Sequence, residues 1–303
     1  MSASIVVNQV AIMFIIIIIG YICKKLGFVN REVIKGMNEI LLNLAIPAMV
    51  LASFNQDIPK SALSGGLVVF VFALLSHIAS IILGSILFKK YPNRQKIVMQ
   101  FVLVFSNCAF MGYPIMGGIF GGIGVFYTSL YVVVFNLFLW SYGIMLFTGA
   151  RDFKTIKKAL LNPGTLATLL GLILLISPFK LPVIIAGVTS LVGGLTTPLA
   201  MIVIGAMLAE VKITELFRGL SIYYITLLRL VTLPILSYLV LFPFVKDQVV
   251  LATCVLLTAM PAASNTVIFS GKFDGDSILA SKIVVLSTGL SMVTIPAIFM
   301  WLG

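Results

Sequence analysis

The ten residues SNCAFMGYPI, at positions 106–115, lie in an apolar run that has no Asp, Glu, Lys or Arg from residue 97 to residue 150. Proline lacks a backbone N–H and its ring clashes with the carbonyl four residues earlier, whereas glycine adopts conformations that other residues resist. Gly112 and Pro114 therefore predict a break in a long apolar helix. The segment MPAASNT, at positions 260–266, predicts a second break, because Pro261 stands inside another uncharged run.

The composition around these segments is typical of a membrane protein. Apolar residues make up 61% of the 303 residues and charged residues 10%, against about 45–50% and about 25% in soluble domains. These values exclude a disordered chain, a disulfide scaffold and an ordinary soluble enzyme. The Lys and Arg residues behind the net charge of +11 are scattered along the chain, which argues against a nucleic-acid partner.

Charge-free intervals of about 20 residues predict helices that cross the hydrocarbon. Seven such runs each fit one helix: 1–23, 40–56, 61–88, 159–179, 181–209, 248–271 and 283–303. The run 97–150 fits two helices, divided at the glycine-rich stretch 117–124, and residues 219–245 form the tenth. These apolar runs lack the in-out alternation of a barrel strand, so the predicted fold class is an all-α membrane protein with ten transmembrane helices.

Positive charges are distributed unequally between alternate loops. Sixteen Lys and Arg residues fall on one side, whereas the other side has three, Lys60, Lys180 and Lys246. Because positively charged loops stay in the cytoplasm, we expect a multi-pass protein of the plasma (cytoplasmic or inner) membrane with both termini outside the cytoplasm. The same charges can contact anionic membrane lipid.

The ten predicted helices divide into two five-helix repeats, residues 1–150 and 159–303, joined by a basic cytoplasmic linker at 151–158. Five is an odd number, so the second repeat is expected to be inverted. Pro47 and Pro198 recur at an offset of 151 residues, as do the segments 110–114 and 261–265. Inverted repeats with corresponding interruptions are typical of secondary transporters.

Broken helices leave backbone groups without intrahelical partners, and the N-terminal ends of half-helices attract anions. A carboxylate substrate fits that chemistry. The candidate substrate-binding residues are Asn107, Gly112, Tyr113, Pro114, Arg229, Pro261, Ser264 and Asn265. The other prolines are interpreted as structural kinks, and the glycine spacing at 117–122 as close helix contacts.

Two ionisable residues fall well inside predicted spans. A charge within the membrane favours a functional role, so Arg229 is a candidate for binding an anionic substrate or for gating. Hydrogen bonds to nearby carbonyls, or snorkelling towards the cytoplasmic end, are the alternatives. His77 is a candidate for proton coupling, with a hydrogen-bonded packing role as its alternative.

The residues required by other functional classes are missing from the sequence. Cys23, Cys108 and Cys254 have neither metal-ligand nor disulfide spacing, so no metal site and no cofactor are predicted. No nucleotide-binding motif, metalloprotease motif or Ser-His-acid set is present, so an enzyme is not predicted. An anion channel, and a membrane sensor of organic acids without transport, stay open as alternatives to a transporter.

The sequence resembles the auxin efflux carrier family, which includes plant PIN proteins and bacterial permeases for small organic acids. The resemblance covers nearly the whole chain. Its most specific parts are NCAFMGYPI at 107–115, similar to the family's N-x-x-x-M-G-x-P pattern, and MPAASN at 260–265. It implies broken fourth and ninth helices that cross, a scaffold from helices one, two, six and seven, an elevator-type movement of carboxylate anions, and a homodimer.

The resemblance also implies roles for individual residues. Asn107 would hydrogen-bond the substrate carboxylate, Pro114 and Pro261 would set the crossing point, and Asn265 would supply a polar group opposite. Plant PIN proteins often carry a long hydrophilic segment between helices five and six, where this chain has a short link. The sequence around Asn265 resembles the bacterial members, which favours a small acid such as malate or malonate over an auxin-like substrate.

Overall fold

A computed structural model describes residues 3–55, 60–149, 161, 163–177, 179–210, 219–273 and 275–302. This part of the chain is helical and contains no β-strand, and six of its helical stretches are long and apolar enough to cross a membrane. The prediction of an all-helical membrane protein is confirmed for these residues. The predicted linker 151–158 lies outside them.

The first half of the chain forms α1 (Ala3–Lys25), α2 (Arg31–Ile40), α3 (Ile46–Phe54), α4 (Lys60–Leu87), α5 (Asn93–Val104), α6 (Tyr113–Phe138) and α7 (Ile144–Thr148). The second half forms α8 (Pro163–Ile176), α9 (Val183–Gly194), α10 (Thr196–Leu208), α11 (Leu220–Leu227), α12 (Leu233–Leu241), α13 (Gln248–Ala259), α14 (Asn265–Lys272) and α15 (Ser277–Leu302). Four π-helical segments interrupt these helices: Leu41–Ala45, Cys108–Gly112, Leu139–Gly143 and Leu228–Thr232.

Three of the π-helical segments are followed, two residues on, by a proline: Pro47, Pro114 and Pro234. A proline cannot donate to the carbonyl four residues earlier and its ring clashes with that carbonyl. A π-helical turn is wider than an α-helical turn, so it accommodates both effects without ending the helix. Pro47 and Pro234 therefore lie within long helical stretches, in agreement with their interpretation as structural kinks.

The second helical stretch begins earlier than predicted. It runs from Arg31 to Phe54, whereas the charge-free interval placed it at 40–56. Its first turns carry charged side chains, and the Asn30 side chain caps it by accepting a hydrogen bond from the Val33 N–H at 2.8 Å. A charge-free interval marks the apolar part of a helix and omits polar turns at its end.

The glycine-rich stretch divides the run 97–150 as predicted. Inside α6, Gly121 has φ 63° and ψ −145°, a conformation that favours glycine, and the helical geometry is interrupted there. The two arms of α6 approach closely, because a Cβ at Gly124 would lie 2.8 Å from the carbonyl carbon of Met116. The close helix contact thus falls at Gly124.

The chain folds into two compact units, and each unit draws on both halves of the sequence. Unit 1 is formed from residues 1–68, 109–133 and 160–210. In this unit glycines bring helix backbones into contact. A Cβ at Gly20 of α1 would meet the backbone of Ile202 in α10, and one at Gly205 of α10 would meet the backbone of α1.

Unit 2 is formed from residues 69–108, 134–159 and 211–303. One apolar cluster in this unit joins α5, α11 and α15. Its buried members include Met99, Leu103, Ile225, Ala280 and Ile283. The cluster also includes Ala262, which follows α13, so the apolar core of unit 2 reaches the end of that helix.

We expect Gly205→Ala to destabilise the fold by about 1–3 kcal/mol, because the added Cβ overpacks the contact between α1 and α10. That atom would lie 2.8 Å from the Tyr21 backbone nitrogen. The measurement is the midpoint of thermal unfolding of the detergent-solubilised protein. Gly36→Ala in α2 is the control, since its Cβ would meet nothing within 4 Å. Equal midpoints for the two variants would contradict the contact.

Candidate site at the crossing of two broken helices

The first break follows α5 directly. Phe105, after the last residue of α5, has φ −106° and ψ 106°, so the chain becomes extended. Helical structure resumes at the π-helical segment Cys108–Gly112. The break therefore lies at residues 105–107, seven positions before Pro114. The proline itself is the second residue of α6, where the π-helical segment accommodates it.

The second break follows α13. Met260, which caps this helix, has φ −59° and ψ 144°, and α14 begins at Asn265. Pro261 lies within the break and has no N–H to continue the helical ladder. Both predicted breaks are therefore present. The second contains Pro261, whereas the first lies upstream of Pro114.

The two breaks pair with each other inside unit 2. The Asn107 N–H donates to the Pro261 carbonyl at 2.7 Å, and the Ala263 N–H donates to the Phe105 carbonyl at 3.1 Å. These bonds form an antiparallel bridge between Ser106 and Ala262. We call residues 105–107 and 261–263 the crossing. The structure thereby brings Asn107 and Pro261 together.

One side chain from a neighbouring helix adds a hydrogen bond to the crossing. The Ala262 N–H donates to the hydroxyl of Ser287 in α15 at 3.2 Å. That hydroxyl in turn donates to the Val284 carbonyl at 3.2 Å. The sequence did not identify Ser287, because a single serine in an apolar helix does not indicate which backbone segment its hydroxyl will contact.

Three candidate polar side chains lie at or next to the crossing. Asn107 is buried, and its Nδ2 has no hydrogen-bond partner among the described residues. Ser264 is buried in the turn that caps α14, and Asn265 is the first residue of that helix and half-buried. A buried amide donor without a partner is costly, so this nitrogen is a site at which a ligand oxygen would be stabilised.

The start of α14 adds a favourable electrostatic environment. Among the described residues no side chain caps this helix, and its first residue, Asn265, lies next to the crossing. The Thr266 and Val267 N–H groups donate to the Ala263 and Ser264 carbonyls at 3.0 and 3.2 Å, so the helix contributes the positive end of its dipole rather than free amides. The N-terminus of a helix carries a partial positive charge that favours anions. Together with the Asn107 amide, this arrangement suits a carboxylate better than a cation.

Arg229 is buried in the π-helical segment Leu228–Thr232, with 1% of its surface exposed. Its guanidinium donates to three backbone carbonyls: Nη2 to Thr258 at 2.6 Å, Nη1 to Leu103 at 2.8 Å and Nε to Met260 at 3.2 Å. These carbonyls belong to the ends of α5 and α13. The structure thus shows the carbonyl contacts that the sequence left open as an alternative.

His77 lies in α4. It is distant in sequence from the residues of the crossing but belongs to the same unit, unit 2. Its Nδ1 is 2.7 Å from the Ala73 carbonyl oxygen. The imidazole stacks on Phe138, with ring centroids 5.2 Å apart and an interplanar angle of 13°. Phe105 and Phe135 approach the same ring at 6.2 Å. Its role in proton coupling stays a prediction.

Unit 1 contains a cavity of about 360 Å³ that sequence reasoning did not find. Tyr113 and Pro114 line it, so two candidate residues from the chain after the crossing face this space. Its other lining residues include six glycines and three hydroxyl side chains, namely Gly117, Gly118, Gly121, Gly122, Gly193, Gly194, Ser53, Ser190 and Thr197. Gly112 precedes Tyr113 as the last residue of the π-helical segment.

The cavity changes the interpretation of the glycine spacing. Gly117 and Gly121, or Gly118 and Gly122, were expected to make close helix contacts, and all four line the cavity. Gly117 also makes a close contact, because a Cβ there would lie 3.1 Å from Cγ2 of Val125. The pair Gly193 and Gly194 in α9 was not selected. This second glycine pair in an apolar span is the feature of the sequence that could have indicated the cavity, but a glycine pair is equally compatible with a packed interface.

A helical multi-pass membrane protein whose broken helices cross at a buried polar site belongs to the class of membrane transporters. Residues 5–299 match the model of a family described as membrane transport protein, and the chain belongs to this family, the auxin efflux carrier family that its motifs resemble. An uncharacterized transporter of Methanothermobacter thermautotrophicus is 27% identical, with 93% of each chain covered. An uncharacterized transporter of Methanocaldococcus jannaschii is 25% identical, with 97% of this chain and 98% of the relative covered.

We expect Ser287→Ala to lower stability by about 1–3 kcal/mol, because it leaves the buried Ala262 N–H without its acceptor. Ser291→Ala is a matched control in the same helix. That serine is equally buried, but its hydroxyl donates to the Thr288 carbonyl within α15. Thermal unfolding of both variants in detergent tests this difference, and an equal loss of stability would argue against the contact at the crossing.

Proposed function

We propose that this protein is a secondary transporter of small organic carboxylate anions. The supporting observation is the crossing, in which one break from each half of the chain pairs with the other beside the Asn107 amide. The Nδ2 of that amide is buried and has no partner among the described residues. An amide NH₂ group donates hydrogen bonds to carboxylate oxygens.

The polar groups near the crossing suit a small acid. Asn107, Ser264 and Asn265 offer neutral hydrogen-bonding groups, and the start of α14 adds the partial positive charge of a helix N-terminus. Neutral donors bind an anion without the strong, fixed attraction of an ion pair, which helps a carrier to release its substrate. A mono- or dicarboxylate such as malate or malonate is the substrate class we favour.

The proposal includes the predicted topology of two inverted five-helix repeats. The described helices form ten stretches if the π-helical segments and the two breaks of the crossing are counted as interruptions within a span and α6 is divided at Gly121, which is the grouping that we propose. The offset of 151 residues and the sixteen-to-three distribution of Lys and Arg also favour this topology, with both termini outside the cytoplasm.

An elevator-type alternating access is the transport mechanism that we propose. The division of the chain into two units supports it, because unit 1 contains α1–α3 and α8–α10, which correspond to the predicted scaffold, together with residues 109–133. Unit 2 contains the crossing and Arg229. A carrier of this kind needs two parts that each fold compactly. The homodimer stays a prediction.

We expect Asn107→Ala and Asn265→Ala to lower saturable uptake of malate or malonate into proteoliposomes by about 10- to 100-fold, because each removes a hydrogen bond to a charged group. Asn43→Ala is the control, since this exposed amide lies in the π-helical segment Leu41–Ala45 and is not one of the residues of the crossing.

Unchanged uptake by the Asn107 variant would reject the site. Wild-type protein must show saturation and counterflow in the same assay. Ohmic single-channel current would instead indicate an anion channel, and ligand binding without flux would indicate a sensor.

We expect Gly194→Leu to lower uptake about tenfold, because the leucine side chain fills part of a cavity that we place on the substrate pathway. A Cβ at this position would meet no atom within 4 Å, so its first side-chain atom does not clash with the fold. Gly187→Leu is the control in the same helix. Gly187 is exposed, a Cβ there would meet no atom within 4 Å, and the residue does not line the cavity. Equal uptake by the two variants would place the cavity off the pathway.

A further inference from the structure

The carbonyls that Arg229 contacts are those that have lost their helical donors. In a continuous α5 the Leu103 carbonyl would accept from the Asn107 N–H, four residues later. At the crossing the Asn107 N–H donates to Pro261 instead. The guanidinium Nη1 takes its place on Leu103, at 2.8 Å.

The same replacement occurs at the end of α13. In a continuous helix the Thr258 carbonyl would accept from the Ala262 N–H, but that N–H donates to the Ser287 hydroxyl. The guanidinium Nη2 donates to Thr258 at 2.6 Å. The neighbouring Met260 carbonyl, at the C-cap of α13, accepts from Nε at 3.2 Å. One side chain therefore caps both half-helices where they meet.

The chemistry of arginine fits this position. The C-terminal end of a helix carries partial negative charge, and α5 and α13 direct two such ends at one point. A guanidinium presents several N–H donors in one rigid plane, so it can serve acceptors from two helices simultaneously. A lysine ammonium keeps the charge but lacks the planar fork.

We propose that Arg229 is a positioning residue, which fixes the crossing by replacing the helical donors that both breaks remove. It acts on the substrate through the crossing, because the register of residues 105–107 determines where the Asn107 amide lies. This role differs from the binding of an anionic substrate or the gating for which the sequence made Arg229 a candidate. The effect of Arg229 on transport rests on the proposed function, whereas its effect on the structure of the crossing does not.

The test compares Arg229→Lys, Arg229→Gln and the control Leu227→Ala, which alters an exposed residue on the same helix. Two buried cysteines report on the structure without a change to the chain. Cys108 directly follows the crossing, and Cys254 lies in the middle of α13; both have 0% exposure. The rate at which a small membrane-permeant maleimide labels each thiol is measured by mass spectrometry, beside uptake of malate and malonate into proteoliposomes.

The proposal expects both arginine variants to label at Cys108 about tenfold faster than the wild type, as loss of a charge-assisted hydrogen bond loosens the crossing. Labelling of Cys254 stays unchanged, and the control labels like the wild type. Uptake falls equally in the Lys and Gln variants, because neither side chain has the rigid planar fork that places donors on carbonyls of two helices simultaneously.

Two results would overturn the proposal. If Arg229→Lys keeps the slow labelling of Cys108 and transports with only an altered KM, the charge acts on the substrate directly. If Cys108 and Cys254 become reactive together, the variants disturb the whole unit and Arg229 has no special role at the crossing. Absence of uptake by the wild type would reject the proposed function alone, because the labelling rates decide the role of Arg229 separately.

Discussion

The pairing of two broken helices through their own backbones is the constraint on which the structure of unit 2 depends. A peptide group buried at membrane depth must find a hydrogen-bond partner, and the breaks take the N–H groups of Asn107, Ala262 and Ala263 away from the carbonyls of their own helices. The two segments pair with each other, and the Ala262 N–H donates to the Ser287 hydroxyl. The Arg229 guanidinium donates to the carbonyls beside them, those of Leu103, Thr258 and Met260. Two buried side-chain atoms of the crossing, the Asn107 nitrogen and the Ser106 hydroxyl oxygen, have no hydrogen-bond partner among the described residues.

Much of this arrangement is predictable from the sequence, because its causes are local. Long charge-free runs indicate helices in lipid, and proline or glycine within such a run indicates a break. The break at Pro261 and the division near Gly121 follow from these rules. The first break is displaced from Pro114 to residues 105–107, because a π-helical turn accommodates the proline and the partner segment determines where the chain becomes extended.

Other features depend on tertiary contacts that leave no pattern in one sequence. Arg229 stood out as a buried charge, but its three carbonyl partners come from two other helices and could not be chosen in advance. Ser287 and the cavity in unit 1 were missed for the same reason. A glycine pair in an apolar helix is compatible with a tight contact or an open space, and the neighbouring helix decides between them. Gly193 illustrates this ambiguity, because it lines the cavity and also packs on Met49.

The contact between Arg229 and Leu103 has a consequence for how the protein is made. The two residues are 126 positions apart, and the crossing partner Pro261 is synthesised later still. Until those residues leave the ribosome, α5 ends in the bilayer with carbonyls that have no native donor. These carbonyls of the amino-terminal half therefore hydrogen-bond to water or to non-native donors during synthesis. They form their native hydrogen bonds only after the carboxyl-terminal half has been inserted.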